Sequence, residues 1–375
     1  MKYIDEFRDS AAARGLAQRI AAEARPDRRY HLMEFCGGHT HAIYRYGVQD
    51  LLPAGVRMIH GPGCPVCVLP ISRLDLALTL AARPEVILCS YGDLLRVPGS
   101  GGHSLLKAKA AGADIRMIYS AADALALAQR HPDREVVFFA IGFETTTPPT
   151  ALIIQQAAAL DLPNFSVFCN HVLTPAAIAH LLDAPEARAL EAVPIDGFLG
   201  PAHVSVVIGS RPYERFAQDY HKPVVIAGFE PLDVMQSILM LVRQLNAGRA
   251  AVENQYTRAV SREGNRKAQQ LMAEIFEQRP LFSWRGLGPV PHSALRIRAP
   301  YHRFDAEQRF PLIEQAATEH RACLCGTILR GVKKPTDCKL FATACTPETP
   351  LGACMVSSEG ACAAYYRYGR YQGAT

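Results

Sequence analysis

Eight apolar runs separated by polar segments dominate the first 230 residues and are typical of buried strands. The runs are His31–Phe35, Arg57–His60, Val86–Ser90, Ile115–Tyr119, Glu135–Ile141, Phe165–Asn170, Ile195–Leu199 and Pro223–Ala227. They alternate with alanine- and leucine-rich stretches of helical length. Because runs that are apolar on both faces indicate parallel sheets covered by helices on each side, we predict an α/β fold with doubly wound, Rossmann-like domains.

The alternation lapses near Gln278, where several prolines and glycines mark irregular chain. The spacing of the runs predicts two doubly wound parallel-sheet domains, and the irregular chain beyond them predicts a smaller C-terminal domain. Residues 1–130 are predicted to hold an N-terminal helix and the first α/β domain, with the Cys36 and Cys64/Cys67 loops. Residues 131–279 are predicted to form the second α/β domain, and residues 280–375 the cysteine-rich domain.

Length and composition indicate a globular, cytoplasmic protein. A chain of 375 residues, 49% hydrophobic and 20% charged, is long enough to bury several cores. We expect no secretory signal and no membrane span, because the first residues are charged and no stretch reaches about 18 apolar residues. The net charge of +5 is spread over the chain, so we expect no nucleic-acid partner. Eleven cysteines in such a protein favour metal or redox chemistry.

Six of those cysteines lie in the last fifty-three residues, and four follow the pattern C-x12-C-x6-C-x16-C. These four are Cys325, Cys338, Cys345 and Cys362. Four thiolates at irregular spacing in a loop-rich segment predict a [4Fe–4S] cluster. Structural zinc is the alternative, but it usually uses C-x2-4-C pairs, which this segment lacks. Cys323 and Cys354 are left over, so the choice of four from six stays open.

Cys36 directly follows a predicted strand and is flanked by Gly37, Gly38 and His39. Glycines let the backbone approach a ligand closely, and a thiolate at such a place can bind a soft metal. A lone cysteine is more often a small buried hydrophobe, but the Gly-Gly-His-Thr-His sequence favours a metal-binding role. For His39, a ligand, a hydrogen-bond donor and a packing residue are all open interpretations.

Cys64 and Cys67 form a C-x-x-C pair after a predicted strand and before the helical stretch Ile71–Leu80. A helix N-terminus lowers the pKa of a nearby thiol, so the pair is typical of a redox-active dithiol. Half of a zinc site would have the same spacing. However, the chain has no second C-x-x-C to complete such a site.

Other polar residues follow predicted strands and are weaker candidates. Glu144 could orient a ligand or accept a proton, or could simply belong to a helix-capping loop. His171 and His203 could donate to an anionic ligand or be structural. Cys89 and Cys169 lie inside apolar runs, and we interpret both as core residues.

The glycine-rich segments after the strands define where a ligand would bind. In open α/β sheets ligands bind outside the carboxyl ends of the strands, so these loops are expected to converge on one cleft between the two domains. The sequence has no G-x-x-x-x-G-K-[ST], no G-x-G-x-x-G and no H-E-x-x-H. A nucleotide-dependent activity therefore has no support in the sequence.

Taken together, the motifs resemble one family. They are Glu34-Phe-Cys-Gly-Gly-His-Thr-His, Gly61-Pro-Gly-Cys-Pro-Val-Cys, Gly142-Phe-Glu-Thr-Thr-Thr-Pro, Cys169-Asn-His-Val-Leu-Thr-Pro, and Cys345-Thr-Pro-Glu with Cys354-Met-Val-Ser-Ser-Glu-Gly-Ala-Cys. Through them the chain resembles, nearly end to end, the HypD family of [NiFe]-hydrogenase maturation factors.

The resemblance implies a scaffold that, with the small partner HypC, holds iron while carbon monoxide and two cyanides are attached to give Fe(CN)2CO. HypE, carrying cyanide made with HypF, would dock transiently, and the hydrogenase large subunit would be reached indirectly. Cys36 would hold the iron, and His39 would be an essential neighbour. Cys64 and Cys67 would form the thiol/disulfide pair. The cysteines at 325, 338, 345 and 362 would bind the [4Fe–4S] cluster.

Two other classes of protein compete with the scaffold. One is a cluster-linked thiol–disulfide oxidoreductase, for which the C-x-x-C pair suffices and Cys36 is dispensable. The other is a zinc-stabilised binding module without redox chemistry. A cluster and a dithiol on one chain could relay electrons if they lie close together. The sequence leaves open whether the assembly factor is itself an enzyme.

Overall fold

Two parallel β-sheets form the framework of the protein in the computed structural model, which describes residues 5–183, 195–317 and 319–369. The first sheet has the strand order β2-β1-β7-β8-β9 and the second β4-β3-β5-β6. Every pairing in both sheets is parallel. The strands are β1 (Tyr30–Glu34), β2 (Val56–His60), β3 (Val86–Ser90), β4 (Ile115–Met117), β5 (Glu135–Gly142), β6 (Phe165–His171), β7 (Gly197–Pro201), β8 (Val224–Ala227) and β9 (Val252–Asn254).

Helices connect the strands and cover both sheets. The α-helices are α1 (Ser10–Glu23), α2 (Gly37–Arg45), α3 (Pro65–Val68), α4 (Ile71–Ala81), α5 (Leu105–Ala110), α6 (Ala121–Arg130), α7 (Thr147–Ala159), α8 (Thr174–Asp183), α9 (Ala202–Ile208), α10 (Glu214–Asp219), α11 (Pro231–Asn246), α12 (Arg266–Ile275), α13 (Ala306–Arg309), α14 (Cys325–Leu329) and α15 (Ala361–Ala364). Short 3-10 turns lie at Asp5–Arg8, Val48–Leu51, Gly92–Arg96, Ser100–Gly102, Arg211–Tyr213, Ala299–Phe304, Pro335–Asp337 and Ala353–Met355, and a π-helix spans Tyr365–Gly369.

The α/β fold class and the parallel sheets are confirmed. All eight predicted strands are present, with ends shifted by at most a few residues. Nearly every residue of β3, β5 and β6 is buried, because helices lie on both faces of a parallel sheet. Strand β9 was not predicted, since it has only three residues, all half-buried.

The pairing of the strands does not follow the predicted division of the chain at residue 130. Strands β1 and β2 from the N-terminal part pair with β7, β8 and β9, while β3 and β4 pair with β5 and β6. The chain thus leaves the first sheet after β2, completes the second sheet and returns. Strand spacing alone contains no information on such a return, because helices connect strands of the same sheet and strands of different sheets alike.

The segment from 276 to 309 also differs from the predicted start of a third domain at residue 280. It contains two short antiparallel pairs, β10 (Phe276–Gln278) with β13 (Leu295–Ile297), and β11 (Leu281–Trp284) with β12 (Gly288–Pro291). Residues from β10 and β13 join the hydrophobic core of the second sheet. The chain without strands that carries the six cysteines begins only after α13.

One hydrophobic core joins the two sheets to the cysteine-rich segment. It combines buried residues of β1, β5 and β7 with Cys325 and Cys354. No helix among the described residues is both long enough and apolar enough to cross a bilayer.

Candidate functional site

Cys36 and His203 lie at the point where the first sheet reverses its strand order. Strands β1 and β7 are neighbours, but the chain leaves β1 toward β2 on one side and continues from β7 toward β8 on the other. Loops at such a switch point diverge and leave a crevice that binds ligands in doubly wound folds. Cys36 follows β1 by two residues, and His203 follows β7 by two residues.

The Cys36 thiol is buried against His203. Cys36 caps the N-terminus of α2, where its Sγ accepts a hydrogen bond from the backbone N–H of Gly38 at 3.3 Å. The distance from Sγ to His203 Nδ1 is also 3.3 Å. The residue is 1% exposed. A ligand bound at this sulfur would therefore lie in a crevice largely shielded from water.

Three glycines allow other parts of the chain to approach Cys36. A Cβ atom on Gly37 would lie 2.3 Å from Cβ of Glu359, and one on Gly38 would lie 2.9 Å from the Phe229 ring. A Cβ on Gly63 would lie 2.3 Å from the backbone nitrogen of Cys36. Each distance is too short for a side chain. The glycines therefore bring Glu359, Phe229 and the Cys64 loop against the thiol.

His203, rather than His39, contacts the Cys36 thiol. His39 Nε2 lies 2.9 Å and 3.1 Å from the carbonyl oxygens of Ala227 and Gly228, and its Nδ1 is buried without a hydrogen-bond partner among the described residues. The Phe229 ring lies between the two histidines, with centroids 4.9 Å from His39 and 5.2 Å from His203. His39 is thus in the second layer of the pocket, holding the loop after β8.

Burial keeps both the thiol and the imidazole uncharged. It raises the pKa of Cys36 well above its ordinary value, and the carboxylates of Glu359 and Glu34 add to the shift. Burial also lowers the pKa of His203 to about 4, with a further contribution from His39. At neutral pH His203 is therefore a neutral imidazole, with one unprotonated nitrogen that can accept the Cys36 S–H.

A buried hydrogen-bond network fixes the backbone at Cys36. The Glu34 carboxylate accepts the backbone N–H of Cys36 at 2.8 Å and the Thr40 hydroxyl. It also lies 2.7 Å from His60 Nδ1, while the Tyr44 hydroxyl lies 2.6 Å from His60 Nε2. Glu34 is fully buried, so its partners compensate for the loss of water. The network therefore holds the backbone of Cys36 in place through its N–H.

The Cys64–Cys67 pair is next to Cys36 and is present as a disulfide. Cys64 caps the short helix α3, whose first residue is Pro65, and the Gly37 N–H donates to the Gly63 carbonyl at 3.2 Å. Both cysteines are buried. The disulfide is therefore connected to the Cys36 loop through Gly63, which directly precedes Cys64 and accepts the Gly37 hydrogen bond.

All six cysteines of the C-terminal segment line one cavity. No carboxylate and no imidazole contributes to its wall, which is otherwise formed by apolar residues and Gly352. This all-sulfur, apolar lining suits an iron–sulfur cluster. Among the described residues, no three histidine, cysteine or carboxylate side chains are arranged as ligands of a single metal ion.

Three of the six cysteines are in direct contact. Cys325 and Cys354 have their sulfurs 2.7 Å apart, and both belong to the core shared with the two sheets. Cys323 shares a hydrogen bond with Cys325. Burial raises the pKa of Cys345, and the charges of nearby Cys323 and Cys338 add to the shift.

The disulfide lies between Cys36 and this cavity. Helix α3 packs against α14, which begins with Cys325, and against the turn that contains Cys354. The three sulfur groups predicted from sequence are therefore neighbours in space: the disulfide segment contacts the Cys36 loop on one side and the cysteine cavity on the other.

Glu144 is part of a neighbouring arrangement rather than of the Cys36 pocket. Its carboxylate accepts the backbone N–H and the hydroxyl of Thr174, each at 2.9 Å. Burial raises its pKa to about 7 against the opposing effect of these hydrogen bonds. His171 Nε2 lies 2.9 Å from the Thr150 hydroxyl oxygen. The loops after β5 and β6 are thus tied to each other.

Sequence reasoning did not single out Glu359 and gave His203 only a secondary place. Glu359 is far along the chain from Cys36, and only the packing of the C-terminal segment onto α2 brings it close. His203 could have been preferred to His39 if the β1/β7 pairing had been known. Cys89 and Cys169 are fully buried in strands, as predicted.

Comparison with known proteins agrees with these motifs. The family model described as "HypD: Hydrogenase formation hypA family" matches residues 11–369. The hydrogenase maturation factor HypD of Cupriavidus necator is 70% identical over 372 residues, which cover 99% of this chain and 98% of that protein. The factor of the same name from Rhizobium leguminosarum bv. viciae is 66% identical, with 99% and 97% covered. The one from Escherichia coli is 48% identical, with 98% of each covered.

Such similarity extends over nearly the whole chain and includes the region of each sulfur group described above. The chain therefore belongs to the HypD family of hydrogenase maturation factors.

Proposed function

We propose that this protein is the scaffold on which the Fe(CN)2CO group of [NiFe]-hydrogenase is assembled. It would act in a complex with HypC, receive cyanide from transiently bound HypE, and reach the hydrogenase large subunit only indirectly. The observation that carries the proposal is the Cys36 thiol at the switch point, 3.3 Å from a neutral His203 and joined through Gly63 to the Cys64–Cys67 disulfide.

The pocket suits iron as its substrate. A soft thiolate in a site shielded from water favours a metal with carbon ligands. Burial keeps Cys36 protonated while the pocket has no cation, and the arrival of a metal cation favours the thiolate. Before a metal binds, His203 Nδ1 is placed to accept a hydrogen bond from the Cys36 S–H. The Glu34 network keeps the loop in its binding conformation.

The cysteine cavity is the proposed site of a [4Fe–4S] cluster, which when bound would supply single electrons. Ligand thiolates of one cluster bind different iron atoms, so two sulfurs in contact contribute at most one ligand. Cys325 is in contact with Cys354 and shares a hydrogen bond with Cys323, so these three sulfurs supply one ligand. Burial raises the pKa of Cys362, and the charges of Cys325, Cys323, Cys345 and Cys338 add to the shift. We therefore propose Cys325, Cys338, Cys345 and Cys362 as the ligand set.

Single serine substitutions test this ligand set. We expect the variants at 325, 338, 345 and 362 to lose the visible iron–sulfur absorption and most of the bound iron, because serine is a poor ligand for the cluster. The C323S and C354S variants should keep both. Iron content and visible spectra of anaerobically purified protein provide the measurement. A brown C325S with a colourless C323S would contradict this set and assign the ligand to Cys323.

The scaffold role itself is tested by infrared spectroscopy. Protein co-expressed with HypC and purified anaerobically should show absorption bands of metal-bound cyanide and carbon monoxide. C36A should lose them completely while retaining the iron–sulfur absorption. C89A is the matched control, because Cys89 is a fully buried cysteine within β3, and it should keep the bands. Bands that persist in C36A would refute the scaffold role.

A second candidate is a cluster-linked thiol–disulfide oxidoreductase. The packing of helix α3 against the Cys325 and Cys354 segments favours it, since electrons could pass from the cavity to the disulfide without Cys36. In that case, wild-type protein would show no cyanide or carbon monoxide bands, and C36A would reduce and reoxidise its C-x-x-C pair as wild type does.

A further inference from the structure

A surface groove lies one side chain away from the cysteine cavity. Ile328 of α14 lines both the cavity and the groove. On its other sides the groove is lined by residues that include Tyr44, Arg57, Lys333 and Lys334. The groove is thus a place where another molecule could come close to the cavity without opening the protein.

Aromatic rings connect the groove with the cavity wall. Phe341 lines the cavity, and its ring centroid is 6.2 Å from that of Tyr365. Tyr365 lines the groove and lies 4.7 Å from Tyr44 by the same measure. These ring contacts connect the groove with the wall of the cavity.

The surface around the groove is predominantly basic. Lys333 and Lys334 are exposed in its wall, and exposed Lys339 follows Cys338 directly. Of the nearby acids, Asp50 is exposed in the groove wall, and Asp337 accepts the backbone N–H of Lys334 at 2.8 Å. Between Cys325 and Cys345 the chain has four basic residues and one acidic residue. Such a surface attracts an acidic partner and speeds its association.

The proposed cluster needs an external source of electrons. The sequence has neither of the glycine-rich signatures by which chains hold nicotinamide or other nucleotide cofactors, and a cluster accepts one electron at a time. The matching donor is a one-electron carrier. In the transfer the carrier loses one electron and the cluster gains it, with no other co-reactant.

We infer that the groove lined by Arg57, Lys333 and Lys334, with exposed Lys339 on the same cysteine-rich segment, is the docking surface for a small acidic one-electron carrier protein. This inference rests on the proposed cluster. It adds to the proposed function the chemical class of the partner that reduces this protein.

Binding and electron transfer to a plant-type [2Fe–2S] ferredoxin with an acidic surface test the inference. Oxidised ferredoxin should bind the anaerobic holoprotein in calorimetry, with an affinity that falls as salt is raised. The K333E/K334E/K339E variant should bind roughly tenfold more weakly or worse. Its cluster should also be reduced more slowly by photoreduced ferredoxin, but not by reduced methyl viologen, a small cation. Binding is the primary readout, since it is independent of cluster turnover.

The control variant R14E/R19E/K267E makes the same change of charge at exposed positions on α1 and α12, helices that pack against α11 and α7. It should bind ferredoxin as wild type does. If the reversal variant does not fold, K333Q/K334Q/K339Q should show a smaller loss of the same kind. Absence of ferredoxin binding, or binding unaffected by salt and by these substitutions, would overturn the inference. A missing iron–sulfur absorption in wild type would instead overturn the proposed cluster.

Discussion

Gly63→Ala should destabilise the protein severely and separate the two loops that meet at Cys36. A Cβ atom at position 63 would lie 2.3 Å from the nitrogen and 2.5 Å from the Cα of Cys36, and 2.5 Å from the carbonyl carbon of Phe35. All three are backbone atoms, so no side chain can rotate away. The loop must move as a whole, which also strains the Gly37 N–H hydrogen bond to the Gly63 carbonyl.

The expected cost is about 3 kcal/mol or more, at the upper end for atoms forced into a packed interior. Urea denaturation followed by fluorescence of Trp284, the single tryptophan, measures it. Gly15→Ala is the matched control. Gly15 lies in α1 with nothing within 4 Å of an added Cβ, so alanine there should stabilise by about 0.5–1 kcal/mol through helix propensity.

The variant also separates structure from function at this junction. If the protein still folds, G63A should keep the iron–sulfur absorption, because the cysteine cavity does not contain this loop. It should lose the infrared bands of iron-bound cyanide, since Cys36 no longer keeps its position. A G63A protein as stable as wild type would show that the two loops are not as close as described.

The fold class was predictable because burial of both sheet faces leaves a clear pattern in the sequence. Runs such as Val86–Ser90 contain only residues that are completely buried in the structure. The order of strands was not predictable from that pattern. It depends on which sheet a crossover returns to, and the helices before β3 and β7 give no sign of a change of sheet.

For the candidate site, the sequence predicted which loops meet but not all of the side chains that contact Cys36. The loops containing Cys36 and Cys64 were expected to meet because both follow parallel strands, and β1 and β2 are indeed neighbours. The contact of Cys36 with His203 depends on the β1/β7 pairing, and the approach of Glu359 depends on tertiary packing. The contacts of Cys325 with Cys354 and Cys323 are likewise not contained in the spacing along the chain.

The loops after β5 and β6 are held together by a carboxyl group whose ionisation should make stability depend on pH. Burial raises the pKa of Glu144 from its ordinary value of 4.5 to about 7. The folded state therefore binds the proton more tightly than the unfolded state does, so the free energy of unfolding falls as pH rises from 4.5 through 7. Above this pH range, protonation of Glu144 no longer contributes to the free energy of unfolding.

Glu144→Gln should remove this dependence. Glutamine has the same shape as glutamate. Its amide oxygen can accept the Thr174 N–H, and its amide N–H can donate to the Thr174 hydroxyl oxygen. Relative to wild type, E144Q should become more stable by roughly 2 to 3 kcal/mol between pH 5 and pH 8. Urea midpoints at both pH values, followed by Trp284, whose ring lies 5.9 Å from Phe143, measure the difference. The control variant E85Q, at an exposed glutamate, should not change in stability relative to wild type between these pH values. Equal pH profiles for E144Q and wild type would contradict the prediction and would mean that water or hydrogen bonds offset the burial of Glu144.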